Sequence, residues 1–200
     1  GYSAPRPFTF LSVVDAINPR KKLGGLLTAY GLLRKMTSRP VRLLLKQYRL
    51  DMDLESIEGV SSVSGKLSEG RMAALYASCD AYISAHHAEG WGLGLSSAMA
   101  FGKPVIATGY SGNLQFMNES NSLPVPYTLA PVSREMRDLV PPFTDQMRWA
   151  EPELAAMSQA MRRAVEGRLD PSLPARAASI VRAFGPKSIM ARLEELLAEL

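Results

Sequence analysis

Cysteine is nearly absent from this 200-residue chain, which has only Cys79. A lone cysteine makes no internal disulfide, so a disulfide-stapled scaffold is excluded and a reducing compartment such as the cytoplasm is expected. Cys79 sits in an apolar helical pattern and reads as a packing residue. Histidine is almost as scarce, with His86 and His87 the only two. They stand in "HHAE", which is not H-E-x-x-H and has no third ligand nearby, so no metal is expected. No stretch approaches eighteen consecutive apolar residues, and no transmembrane span is expected. The start, "GYSAPRPF", lacks a charged segment followed by an apolar one and reads as a linker rather than a signal peptide. No strong charge bias is present either: 23 Lys and Arg against 19 Asp and Glu give a net charge of +4. Apart from Arg20-Lys21-Lys22 the cations are scattered and no nucleic-acid signature accompanies them, so nucleic acid is not expected as a partner. No basic amphipathic helix is strong enough to mark membrane binding.

What is present is an ordinary globular composition, 46 % apolar and 21 % charged. Two hundred residues suit one domain, able to bury about two-thirds of its unfolded surface. The first apolar run, "FTFLSVV" (8–14), reads as a buried strand. Pro19 stands near a helix start, and 21–36 carries Leu23, Leu26, Leu27, Tyr30 and Leu33 at helical spacing. Strands are expected at 40–48, 60–67, 80–85, 104–109 and 122–127. Helices are expected at 68–79, 92–102 and, briefly, 111–118, with Gly102 ending the second. Residues 51–59 read as a short helix or loop. Strands alternating with helices, without the polar alternation of an exposed sheet, predict a doubly wound, Rossmann-like parallel sheet flanked by helices. The core spans about 8–128. Residues 128–148, with Pro131, Pro141 and Pro142, read as loop. A C-terminal helical part over about 149–200 follows, with helices at 151–166, 171–184 and 186–200. Pro152, Glu151 and Glu153 are expected in the first turn of the first of these. The last has an apolar stripe of Ile189, Leu193, Leu196, Leu197 and Leu200.

In such a fold ligands bind beyond the carboxyl ends of the strands, which directs attention to 15–22, 86–94 and 108–113. "AEGWGLGLSSAMA" (88–100) joins a strand to a helix there. Gly90, Gly92 and Gly94 allow close approach of backbone to a ligand, and the amides at the helix start favour an anion. Glu89 is an acceptor suited to neighbouring hydroxyls. Phosphate beside hydroxyl is the signature of a nucleotide or a sugar phosphate. A nicotinamide dinucleotide fits poorly: "GWGLGL" misplaces the third glycine of G-x-G-x-x-G, and the next strand ends in "IATG" without a carboxylate. The plainer alternative is a glycine turn with Glu89 serving only the helix N-terminus.

The segment "EGWGLGLSSAMAFGKPVIATGYSGNLQFM" (89–117) closely resembles the donor-binding motif of retaining GT-B-fold glycosyltransferases of the group 1, or family 4, kind. Their pattern is E-G-[FW]-G-x-x-x-x-E-A-M-A-x-G-x-P-V-I-A-T followed by a glycine turn. "NPRKKLGGLLTAYGLL" (18–33) and "LYASCDAYISAHHAEG" (75–90) extend the likeness, and "NSLPVPYTL" and "RWAEPEL" resemble one bacterial subfamily. The resemblance covers most of 8–166. It implies the C-terminal half of a GT-B fold, binding a nucleotide-diphosphate sugar and transferring a hexose with retention. The N-terminal domain for a glycan or lipid-linked acceptor is expected to be missing, and the chain alone to be inactive. The implied location is cytoplasmic, at or near the inner membrane face, with no cofactor or metal.

By the same resemblance Glu89 would hold hydroxyls of the transferred sugar, and Lys21, helped by Arg20, would neutralise the diphosphate. Gly90 and the amides of Gly92, Leu93 and Gly94 would face sugar and phosphates. The turn Ser111-Gly112-Asn113 and His87 would line the same pocket. Two positions depart from the pattern. The family's second glutamate, which holds ribose hydroxyls, falls on Ser97, and the arginine that many members carry after the first strand falls on Asp15 or Ala16. These departures motivate a second reading: a degenerate domain acting as a non-catalytic binding or assembly module.

Overall fold

The computed structural model describes residues 6–54 and 56–198. The N-terminal linker reading therefore falls in part, and Leu200 of the last apolar stripe entirely, outside the described residues. Six strands form one parallel sheet: β1 (Phe8–Asp15), β2 (Val41–Tyr48), β3 (Val60–Val63), β4 (Ala81–Ser84), β5 (Val105–Thr108) and β6 (Leu123–Val125). Their order is β3-β2-β1-β4-β5-β6. Chain direction reverses across the sheet between β1 and β4, and this switch point is where doubly wound sheets open a crevice.

The strands are apolar on both sides because helices cover both faces. Successive residues of a strand point to opposite faces. Leu43 and Leu45 thus join Phe10, Ile83 and Ile106 under α1 (Leu23–Met36) and α5 (Leu154–Val165). Leu44 joins Leu11, Tyr82 and Val105 under α2 (Glu69–Ser78), α3 (Leu93–Ala100) and α6 (Leu173–Arg182). On α1, Leu23, Leu26, Tyr30 and Leu33 are buried, as their spacing predicts, and the Tyr30 hydroxyl reaches the Val41 carbonyl at 3.0 Å. On α2 the Ser68 hydroxyl caps the helix by accepting from the Arg71 amide. Gly102, at φ 65°, follows α3 and ends it.

Two expectations are corrected. Residues 128–148 are not simply loop: β7 (Tyr127–Pro131) pairs antiparallel with β8 (Arg148–Pro152), and α4 (Arg134–Leu139) lies between them. The next helix accordingly starts at Leu154 and not at 151, because Trp149 and Ala150 are held in the strand pairing, with Ala130 opposite Trp149 and Leu129 opposite Ala150. Glu151 therefore lies on a strand, where it pairs with Lys22. The last helix, α7 (Pro186–Ala198), exposes Ile189, Leu193, Leu196 and Leu197.

Candidate functional site

At the switch point the loops after β1 and β4 meet. After β1, Asn18 accepts a hydrogen bond from the Arg20 amide at 3.1 Å and folds Pro19–Lys21 into a single 3-10 turn. That turn presents Arg20 and Lys21 toward the loop after β4. The Arg20 carbonyl accepts from the His87 amide at 2.8 Å, which fastens the two loops together. The Ala150 amide of β8 donates in turn to the His87 carbonyl at 3.0 Å. Lys21 Nζ then ion-pairs with Glu89 Oε1. The Glu89 side chain is only 9 % exposed, so this pair is weakly screened by solvent.

Gly92, at φ 87°, is the N-cap of α3, a left-handed conformation that a side chain would strain. The first helical bonds run from Leu95 and Ser96 back to the Gly92 carbonyl. The amides of Gly92, Leu93 and Gly94 thus precede the hydrogen-bonded ladder, at the positive end of the helix dipole. Ser96 accepts from the Trp91 indole at 3.1 Å and so serves packing, while Ser97 hydrogen-bonds the Tyr76 phenol. Burial dominates at Tyr76 and pushes its phenol up to about 12, so it is a neutral hydroxyl.

These groups line one cleft of about 930 Å³. Arg20, Lys21, Glu89, Gly90, Gly92, Leu93, Gly94 and Ser97 all contribute to its wall. Asp15 lies there too, at the end of β1, with Arg49 3.5 Å from one carboxylate oxygen. Its other oxygen and the Arg20 Nε are buried without a hydrogen-bond partner, so the cleft holds polar groups still open to a ligand. Tyr48, Tyr76, Tyr82 and Met72 complete the wall. These were not read as site residues, because an aromatic at the end of an apolar strand or helix looks like core.

Four predicted residues stand elsewhere. Ser111, Gly112 and Asn113 lie behind the loop and not among the residues lining the cleft. The Ser111 hydroxyl accepts from the Glu89 amide at 2.8 Å, and the Gly112 amide donates to the Glu89 carbonyl at 3.0 Å. Asn113 is buried. Its amide donates to the Thr108 carbonyl, which turns its oxygen toward His86 Nε2 at 3.2 Å. His86 must then carry its proton on Nε2 and accept from Ser84 Oγ at 3.0 Å on Nδ1. Burial lowers its pKa to about 4, so it is a neutral strut. His87 is turned away from the cleft: its ring stacks on Trp149 at 3.9 Å and its Nδ1 donates to the Ala150 carbonyl at 2.6 Å. It lines a separate hollow with Asn18, Lys22, Ser133 and Glu135. All four residues act on the site by fixing the backbone around Glu89. No cluster of metal-ligating side chains occurs among the described residues.

A family profile described as "Glycosyl transferases group 1" matches residues 5–123, more than half of the chain. The chain belongs to the group 1 glycosyl transferases. No curated protein sequence matches it. Solved structures of the same fold include a pneumococcal O-GlcNAc transferase, GtfA, in complex with UDP and GlcNAc: 16 % identity, 96 % of this chain, 36 % of that chain, TM-score 0.63. Sucrose-phosphate synthase from Thermosynechococcus elongatus matches at 20 % identity, 99 % and 46 % coverage, TM-score 0.66. HepE of Anabaena in complex with UDP-glucose matches at 17 % identity, 97 % and 49 % coverage, TM-score 0.64. This group 1 glycosyl transferase chain thus spans less than half the length of each, as one half of a two-domain fold does. Among the described residues no helix is long and apolar enough to cross a membrane.

Proposed function

We propose that the chain is the donor-binding half of a glycosyltransferase that transfers a hexose, with retention, from a nucleotide-diphosphate sugar to a glycan or lipid-linked acceptor held by a second domain. The observation that carries this reading is the meeting of Lys21, Glu89 and the α3 amides in one cleft at the switch point. A diphosphate lying on the amides of Gly92, Leu93 and Gly94 meets Lys21 and Arg20 on its other side. Glu89, beside Lys21, then accepts from hydroxyls of the sugar. As the glycosidic bond breaks, the departing nucleoside diphosphate gains charge, and cations and amides already in place stabilise it without reorganisation. No metal or cofactor enters the scheme. Glycosyltransferase structures of the same fold that hold UDP or UDP-glucose support it. Calorimetric titration with UDP and GDP tests it: micromolar binding, lost in Lys21→Ala, supports the reading. The chain alone is expected to transfer little sugar, and robust transfer by it would contradict the need for a second domain.

Ser97 favours a second reading, a domain that keeps the shape of a donor site as a binding or assembly module. A hydroxyl already engaged by Tyr76 replaces the carboxylate that the family pattern places there. A folded chain that binds no nucleoside diphosphate supports this second reading.

A further inference from the structure

Lys46 is the one Lys, Arg, Asp or Glu that is buried among the described residues, at 0 % exposure. It lies on β2, a strand covered on both faces, where a cation loses its hydration. Its ammonium donates to the main-chain carbonyls of Gln47 at 2.5 Å and Gly65 at 2.7 Å. It also sits 4.0 Å from the centroid of the Tyr48 ring. Residues i and i+2 of a strand share a face, so Lys46 and Tyr48 are neighbours by construction. Burial lowers the Lys46 pKa, yet carbonyls and the ring's negative face are partners for an ammonium. The outcome is a tyrosine at the very end of a strand, backed on one face by a cation and tied through that cation to the turn after β3. Tyr48 is nevertheless 43 % exposed, and it lines the same cleft as Lys21 and Glu89.

The sheet order fixes where that ring stands. Glu89 follows β4 and Tyr48 ends β2, with β1 between them. Two strand spacings put the ring about 10 Å from the sugar end of the cleft. A nucleotide sugar with its hexose at Glu89 and its diphosphate at Lys21 and the α3 amides has its nucleoside left to place. The cleft continues past Ser97 and Tyr76 to Tyr48 and Met72.

We infer that the Tyr48 ring is the platform on which the donor's nucleobase stacks, and that Lys46 is the positioning residue that holds the ring in place. The inference rests on the donor-binding reading above. A fixed π face accepts any base, so the platform contributes affinity for a nucleoside without choosing between uracil and guanine.

The test compares UDP, GDP and inorganic pyrophosphate by calorimetry on the whole chain. Tyr48→Ala should weaken UDP and GDP by about 10- to 100-fold and leave pyrophosphate unchanged. Tyr48→Phe should bind like the original. Lys46→Met should weaken the two nucleotides but not pyrophosphate, and Lys46→Arg should restore much of the loss, an outcome that general loosening of the fold would not give. Should Lys46→Met fail to fold, the two Tyr48 variants decide alone, because the ring is half exposed. If Tyr48→Ala binds UDP as tightly as the original chain, the platform is refuted while the donor site stands. If the unaltered chain binds neither nucleotide nor pyrophosphate, the donor-binding reading itself fails and the platform with it.

Discussion

Gly112 lies directly against Gly90: a Cβ on Gly112 would stand 1.6 Å from the Gly90 carbonyl oxygen. The contact is backbone on backbone and cannot yield by a rotamer change, so the turn after β5 sets the height of the Glu89 loop. Gly112→Ala is expected to destabilise the chain by about 3 kcal/mol or more, since overlap with main chain is among the costliest single changes. A Cβ on Gly90, by contrast, meets nothing within 4 Å. Gly90→Ala should melt within a degree or two of the original yet bind UDP-sugars more weakly, because it intrudes only on the ligand. Melting curves and titrations on both variants check the contrast.

Acid should loosen the fold before the carboxylates titrate. The His86 pKa falls to about 4 in the folded chain, against an ordinary value of 6.5. Between those values only the unfolded chain takes up the proton. Stability is therefore complete above about pH 6.5 and falls as pH drops toward 4, by at most about 1.4 kcal/mol per unit from this residue. His87, also lowered by burial, adds to the slope in the same direction. Urea unfolding across pH 5 to 8 should show the slope, and His86→Gln should reduce it.

Much of this arrangement was legible in the residues. Apolar runs at 8–14, 40–48 and 104–109 mark buried strands because a sheet covered on both faces needs no polar alternation. Glu89 and its glycines were legible because they break that pattern at a strand end. The β7–β8 pair was not: β7 is mostly exposed and rich in turn formers, and what orders Trp149 is the stack on His87, a contact 62 positions away in sequence. The supporting role of Ser111, Gly112 and Asn113 was hidden for the same reason, since whether a turn lines a cleft or braces it depends on tertiary packing. Lys46 gave no signal of its tie to Tyr48 until the strand faces were known.

Cys79 should be inert in the native chain. Its thiol is buried and pushed up to about 11 by desolvation, with Sγ donating to the Tyr76 carbonyl at 3.2 Å. The thiolate fraction at neutral pH is then about 100-fold below that of an ordinary cysteine. Labelling with a thiol reagent should wait on unfolding; rapid labelling of the native chain would contradict the packing around α2.

Position 97 offers a gain-of-function check. Ser97→Glu puts a carboxylate beside the Tyr76 hydroxyl in the cleft. If the nucleoside's ribose passes there, charge-assisted hydrogen bonds should tighten UDP binding by about tenfold. Unchanged affinity would place the ribose elsewhere.

The central claim is a division of labour: Lys21 serves the diphosphate and Glu89 serves the sugar. It is tested most directly by titrating UDP and UDP-glucose side by side into the original chain, Lys21→Ala and Glu89→Gln. The account predicts that Lys21→Ala loses both ligands at least tenfold, as removal of a charged partner does. It predicts that Glu89→Gln keeps UDP and loses only the additional affinity that the sugar provides. Equal affinity of all three proteins for both ligands, or no binding by a folded original chain, would contradict it.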